Sequence, residues 1–196
     1  MTGEIKDGPF ERYHDNGQLW WKGIYKDGVE DGPIETYHEN GQVKSKGTLR
    51  DGKREGPIEY YHENGQLELR GTYKNGGYEG PYETYYDNGQ LLEKGILKYE
   101  GWYGLREVYH ENGQLMMKGT WKNGEPDGSY ESFYDNGQLR TQGTYKDGKR
   151  EGPWETYNNN GQLNIKGIYK DGEQCGEWFE FGLSFTYPPC LRIVKD

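Results

Sequence analysis

The chain has 196 residues, with 33 acidic side chains against 24 basic ones and a formal net charge of −9. Only 31% of residues are apolar, against the ~45–50% (a figure that counts glycine) of an ordinary globular domain, which excludes a deep aliphatic core. An aromatic content of 15% argues against disorder, and the acidic balance leaves no basic stripe for nucleic acid and repels anionic lipid.

After a lead-in at residues 1–7, a 24-residue unit repeats without insertion or deletion. Asn-Gly-Gln marks it seven times, at Asn16, Asn40, Asn64, Asn88, Asn112, Asn136 and Asn160. A tripeptide on a fixed ruler is the signature of a repeat architecture. The seven units are 8–31, 32–55, 56–79, 80–103, 104–127, 128–151 and 152–175, and residues 176–196 follow as a C-terminal cap.

Each unit reads as two short antiparallel strands. In the third, Pro57 to His62 and Gln66 to Lys74 flank Asn64-Gly65. Asn-Gly between β-formers predicts a two-residue type I′ turn, which needs positive φ at both central residues. The stretch from Asn75 to Pro81 reads as a longer return. Helix is excluded, because its interior would lose ~1 kcal/mol per glycine and ~3 per proline. The expected fold is all-β: an elongated antiparallel β-meander of about 14 to 16 strands.

The two-residue loop fixes a register. Glu59 faces Arg70, and the same count pairs Glu11 with Lys22, Glu35 with Lys46, Glu83 with Lys94, Glu107 with Lys118 and Glu155 with Lys166. Glu131 alone faces an uncharged residue, Gln142. Each opposed pair contributes ~0.2–1 kcal/mol. One step further places Ile58 opposite Gly71, where a large residue can cover a bare glycine. One face carries Phe10, Ile58, Trp154, Leu67, Tyr73 and Trp121; the other carries the Glu–Lys pairs and a ladder from Tyr13 to Tyr157.

Departures from the pattern mark candidate contact sites. Trp20-Trp21 breaks the first unit. The fifth unit is entered through Tyr99-Glu-Gly-Trp-Tyr-Gly-Leu, and Arg106 and Met116-Met117 follow. Trp, Tyr, Met and Arg are the types enriched at interaction hot spots. The candidate partner-binding residues are therefore Trp102, Tyr103, Arg106, Met116, Met117, Trp20 and Trp21.

The histidines share one column, His14, His38, His62 and His110, which Tyr86, Tyr134 and Asn158 fill elsewhere. Neighbouring members lie ~9.6 Å apart, two strand spacings, awkward for a shared metal ion. The column reads as a polar residue beside the turn. Cys175 and Cys190 lack a CxxC or Cys–His cluster and read as free thiols in a cytoplasmic protein, or as a bridge pinning the terminal segment. Phe179, Phe181, Phe185 and Tyr187 read as an end cap for an array whose last unit lacks a neighbour. No nucleophile–base set, phosphate loop or HExxH motif appears, so neither catalysis nor a cofactor is expected.

The string Gly143, Tyr145, Asp147, Gly148, Gly152, Tyr157, Asn160 and Gly161 resembles the MORN repeat family, and more closely its variant bacterial form in YwqK-type antitoxins. The resemblance implies hairpins aligned in one twisted antiparallel sheet, and links to protein scaffolding, membrane association or toxin neutralisation. The shared columns build the hairpin, so no binding residue is carried over. Together these features point to a non-catalytic protein-binding repeat module, antitoxin-like, for which the acidic surface suits a basic partner. The alternative is a spacer or adhesin-like display array without one dedicated ligand. No apolar stretch follows Met1, so the cytoplasm is the default compartment, and an extracellular or periplasmic one applies if a signal segment has been removed.

Overall fold

The computed structural model describes residues 7–191, which form strands and turns and no helix. They fall into two compact units, Met1–Tyr99 and Glu100–Asp196. The first holds β1 (Gly8–Tyr13), β2 (Leu19–Lys26), β3 (Val29–Glu30), β4 (Gly32–Tyr37), β5 (Val43–Arg50), β6 (Lys53–Arg54), β7 (Gly56–Tyr61), β8 (Leu67–Lys74), β9 (Gly77–Tyr85) and β10 (Leu91–Lys98). The second holds β11 (Gly101–Tyr109), β12 (Leu115–Lys122), β13 (Glu125–Phe133), β14 (Leu139–Lys146), β15 (Lys149–Arg150), β16 (Gly152–Tyr157), β17 (Leu163–Lys170), β18 (Glu173–Glu180) and β19 (Leu183–Thr186). Within each unit, consecutive long strands pair antiparallel as a meander. The nineteen strands exceed the expected 14 to 16 chiefly because three connections contain the two-residue strands β3, β6 and β15.

The two turn types are exchanged relative to the sequence reading. At Asn64-Gly65 only the glycine has positive φ, +81°. The His62 carbonyl accepts from Gly65 N–H at 2.9 Å, and His62 N–H donates to the Gln66 carbonyl at 2.9 Å. This is a three-residue loop, a type I turn closed by a glycine bulge. The expected register nevertheless holds. Tyr61 pairs with Leu67, the ladder slips by one residue, and Glu59 then faces Arg70. The longer loop and the bulge cancel. Type I′ geometry occurs instead in the connection expected to be longer: Asp27 and Gly28 have φ of 52° and 77°, with Lys26 directly opposite Val29.

At Gly47, Gly143 and Gly167 the mid-unit glycine is covered by the third residue of the following unit. A Cβ on Gly47 would meet the Ile58 side chain at 3.2 Å; one on Gly143 would lie 2.0 Å from the Trp154 ring. Gly71, expected under Ile58, is approached instead by Tyr78 and Tyr82. The rings therefore lie against bare backbone. This is how so few apolar residues make a core, formed by Ile34, Leu49, Ile58 and Tyr73 in the first unit and by Trp121, Trp154, Cys175 and Trp178 in the second.

On the opposite face the glutamates lie between two cation columns. Lys22 bridges to Glu35 of the next repeat at 2.9 Å, Arg70 to Glu83 at 2.5 Å, and Lys118 to Glu131 at 2.8 Å. Glu131, expected without a cation, therefore has one from the preceding strand. In the last repeat Lys166 turns back to Glu155 at 2.9 Å, because Phe179 stands in the place of the next glutamate. Tyrosines two residues on bind the same carboxylates: Tyr37 donates to Glu35 at 2.5 Å and Tyr61 to Glu59 at 2.6 Å. Burial, then the hydrogen bond to Glu59, pushes the Tyr61 phenol up to about 12.

Adjacent repeats are also tied at their loops. Asn40 donates its amide to the Glu63 carbonyl at 2.9 Å and accepts the Gln42 N–H at 2.9 Å. Asn16, Asn64, Asn112 and Asn136 make the same cross-repeat bond. The histidine column does likewise: Nε2 of His38 lies 2.8 Å from the Tyr61 carbonyl, and Tyr134 replaces the contact with its hydroxyl, 2.9 Å from the Tyr157 carbonyl. A group able to donate across one repeat spacing explains why His and Tyr interchange there.

The expected cap divides. Trp178 is 2% exposed, donates to the Cys175 carbonyl at 3.0 Å and packs edge-on against Tyr169 and Tyr187. Phe179 is half-buried in β18, whereas Phe181 and Phe185 are 74% and 44% exposed. Cys175 and Cys190 form a disulfide, with Cα atoms 5.0 Å apart, so the free-thiol expectation is corrected. In the chain-entropy picture a loop of this length stabilises by ~3 kcal/mol.

Candidate binding cleft

Side chains alternate between faces along a strand, so residues of the third, fifth, fourteenth and eighteenth positions of consecutive units share one side of the sheet. In the second unit this side holds Met117, Tyr130, Thr141, Tyr145, Trp154, Ile165, Tyr169 and Trp178, which line a cleft of about 700 Å³ with Met116, His110, Arg140 and Arg150. The large rings give the cleft its walls. Tyr130 stacks on Trp154 at 6.1 Å, and Tyr145 and Tyr169 meet Trp154 edge-on at 5.3 and 5.9 Å.

Arg150 lies over both Trp154, at 4.5 Å, and Tyr169, at 5.1 Å, and donates to the Tyr169 hydroxyl at 2.8 Å. Burial disfavours its charge, but hydrogen bonds with Tyr145 and Tyr169 outweigh that effect and hold its pKa up. Arg140 lies over Tyr134 at 5.6 Å. Arginine over aromatic rings recurs in the first unit, where Arg54 covers Tyr60 and Tyr73 and Arg12 covers Phe10 and Trp21.

The structure separates the residues singled out from sequence. Met116 and Met117 line the cleft. Arg106 occupies the third position, where other units place Ile34, Ile58 or Trp154, and it stacks on Trp102 at 4.7 Å and Trp121 at 5.3 Å. Trp102 and Arg106 thus pack with the core residue Trp121. Tyr103 is 42% exposed, beside Leu105 at 56%. Trp20 and Trp21 belong to the first unit. Trp20 is 43% exposed and meets Trp21 edge-on, while Trp21 packs against Phe10 and Arg12. Sequence reasoning missed Tyr130, Arg140, Tyr145, Arg150 and Trp178 as cleft residues. A usable signal was the growth of the third position from Ile34 and Ile58 to Tyr130, Trp154 and Trp178.

Among the described residues no cluster of three or more His, Cys, Asp or Glu could hold a metal ion, and no helix is long and apolar enough to cross a membrane. A meander of hairpins with one self-paired polar face and one aromatic face defines an all-β repeat protein. More specifically, the chain belongs to the MORN repeat family: the MORN repeat variant matches residues 6–27, 30–51, 54–75, 78–99, 102–123, 126–147 and 150–171. Members of this family are repeat modules, generally non-catalytic, that interact with proteins or membranes. No curated protein sequence matches. Among solved structures, the chain is similar to one described as the crystal structure of accessory secretory protein 1,2 and 3 in Streptococcus pneumoniae, at 19% identity and a TM-score of 0.32. That match covers 60% of this chain and 20% of the other, so the chain spans about one fifth of its length.

Proposed function

We propose that this chain is a non-catalytic module that holds a protein partner on the aromatic side of its second unit. The observation that carries this reading is the contrast between the two faces. On the polar face, carboxylates such as Glu155 are already engaged by a tyrosine, a lysine and a glutamine of the same chain. The aromatic side instead presents Met116, Met117, Tyr130 and Tyr145 to a cleft. Tyr, Trp, Met and Arg are the types that supply binding energy at protein interfaces. The net charge of −9 favours encounter with a partner that is basic overall.

An antitoxin or immunity role is the narrower form of this reading and rests on the likeness to YwqK-type repeats. The Cys175–Cys190 bridge supports an oxidising compartment, periplasmic or extracellular, over the cytoplasmic default. The test is capture of the partner from native lysate, read by mass spectrometry, with the intact chain and two folded variants. Met117→Glu should abolish capture and Lys118→Gln should leave it largely unchanged. The opposite pattern overturns the assignment of the face; failure of the intact chain to capture any protein overturns the function.

A further inference from the structure

The aromatic cleft differs in charge from the rest of the molecule. The chain carries 33 acidic residues, yet among the described residues no Asp or Glu lines the cleft, whereas Arg140 and Arg150 both do. Neither arginine has an ion pair among the described residues. Cations of the polar face, by contrast, are held by glutamates, as Lys22 is by Glu35 and Arg70 by Glu83. A guanidinium carries five N–H donors in a fork that matches a carboxylate. Arg150 donates to the Tyr169 hydroxyl, and its plane is fixed by Trp154 and Tyr169, so its orientation is set before anything binds.

Length narrows the occupant. The cleft is lined from Met117 in β12 to Trp178 in β18, through β13, β14, β16 and β17, each paired with the next. Five strand spacings make ~24 Å, the reach of roughly seven residues of extended chain. From the guanidiniums without a carboxylate partner, the acid-free aromatic lining and this length, we infer that the cleft takes an extended peptide segment of the partner in which pairs of acidic residues alternate with pairs of aromatic or apolar ones, so that the side facing the cleft presents both. The inference rests on the protein-binding reading and adds the chemistry of the bound segment. Net negative charge governs the long-range encounter; the cleft sets the register through a local reversal of sign.

The probe is the synthetic octapeptide Glu-Glu-Phe-Phe-Glu-Glu-Phe-Phe with both ends blocked, which presents Glu and Phe on each side when extended, titrated by calorimetry into the full chain. Saturable one-to-one binding that weakens with added salt is expected. Arg150→Gln and Arg140→Gln should each weaken it about tenfold, since a charged hydrogen bond is worth at least that factor. Arg150→Lys should recover only part of the loss, because a lysine keeps the charge but loses the fork. The Lys-Phe octapeptide should bind at least tenfold more weakly. Arg140 lies outside the Trp154 stack, so its variant stays informative if Arg150 variants unfold. No binding of the Glu-Phe peptide, equal binding of the Lys-Phe peptide, or equal binding of an oligothymidylate of eight nucleotides would each overturn the inference. Capture of a native partner that both arginine variants retain in full would also overturn it, while leaving the protein-binding function intact.

Discussion

The indole of Trp178 occupies the place where a side chain on Gly167 would be: a Cβ there would lie 2.1 Å from the ring. The residues come from adjacent strands, β17 and β18, and Trp178 is 2% exposed. Gly143 and Trp154 repeat the relationship one unit earlier. Gly167→Ala should therefore displace the ring and destabilise the second unit by ~1–3 kcal/mol, the range for overpacking a well-filled site. Gly47→Ala meets only the end of Ile58, at 3.2 Å, and should cost less. Urea denaturation of the two variants compares them directly; equal losses would show that the ring does not need the bare backbone.

The asparagine of each first loop acts across the repeat boundary. Asn40→Asp keeps the acceptor for Gln42 N–H but loses the donor to the Glu63 carbonyl. A loss of ~1 kcal/mol is expected, typical of one hydrogen bond. Among the described residues Asn160 makes no such bond; its side-chain amide reaches Gln162 Oε1, at 3.5 Å. Asn160→Asp should leave thermal stability close to wild type. Equal effects at both sites would mean that the column serves the turn alone.

Charge coupling should run between repeats as well as within hairpins. Arg70 bridges Glu83 at 2.5 Å although its hairpin partner is Glu59. Double-mutant cycles should give ~0.3–1 kcal/mol for Arg70 with Glu83 and a smaller value for Arg70 with Glu59. A larger Glu59 term would restore the within-hairpin pairing.

Acid should destabilise the second unit in a defined window. Hydrogen bonds from Tyr157, Lys166 and Gln142 hold the Glu155 carboxyl down to about 2. A depressed carboxyl adds stability that is complete above its unfolded value, ~4.3, and is lost as pH falls through its folded value. Its share, ~2 kcal/mol after allowance for solvent, should disappear between about pH 4.5 and pH 2. Denaturation from pH 6 to pH 2 should show a shallower acid slope for Glu155→Gln than for the intact chain. Identical slopes would place the acid sensitivity elsewhere.

The repeat period, the strands and the glutamate register were legible because each follows from local chemistry that recurs seven times, whereas the register slip pairs Leu67 with Tyr61 of the glutamate face, not with the Ile58 face expected for it. The loop types were not, because Asn-Gly suits both a type I′ turn and a type I turn with a glycine bulge; at Asn64 the side chain's bond to the Asp87 carbonyl accompanies the second. Counting within a hairpin could not show that Lys118 reaches Glu131, a contact made by the next strand. The cleft was hidden for the same reason: Tyr130, Trp154 and Trp178 are 24 residues apart in sequence and become neighbours only when repeats stack. Arg106 stood out as irregular, yet Trp102 and Trp121 account for it as packing.

The central claim is that a protein partner occupies the aromatic side of the second unit. Hydroxyl-radical footprinting of the chain, alone and with its captured partner, tests it most directly because both faces carry reactive side chains. The account predicts protection of Met116, Met117 and Tyr145, with Tyr61 and Tyr157 on the glutamate face labelled as before. Protection of Tyr61 and Tyr157 with Met116, Met117 and Tyr145 unchanged would contradict it.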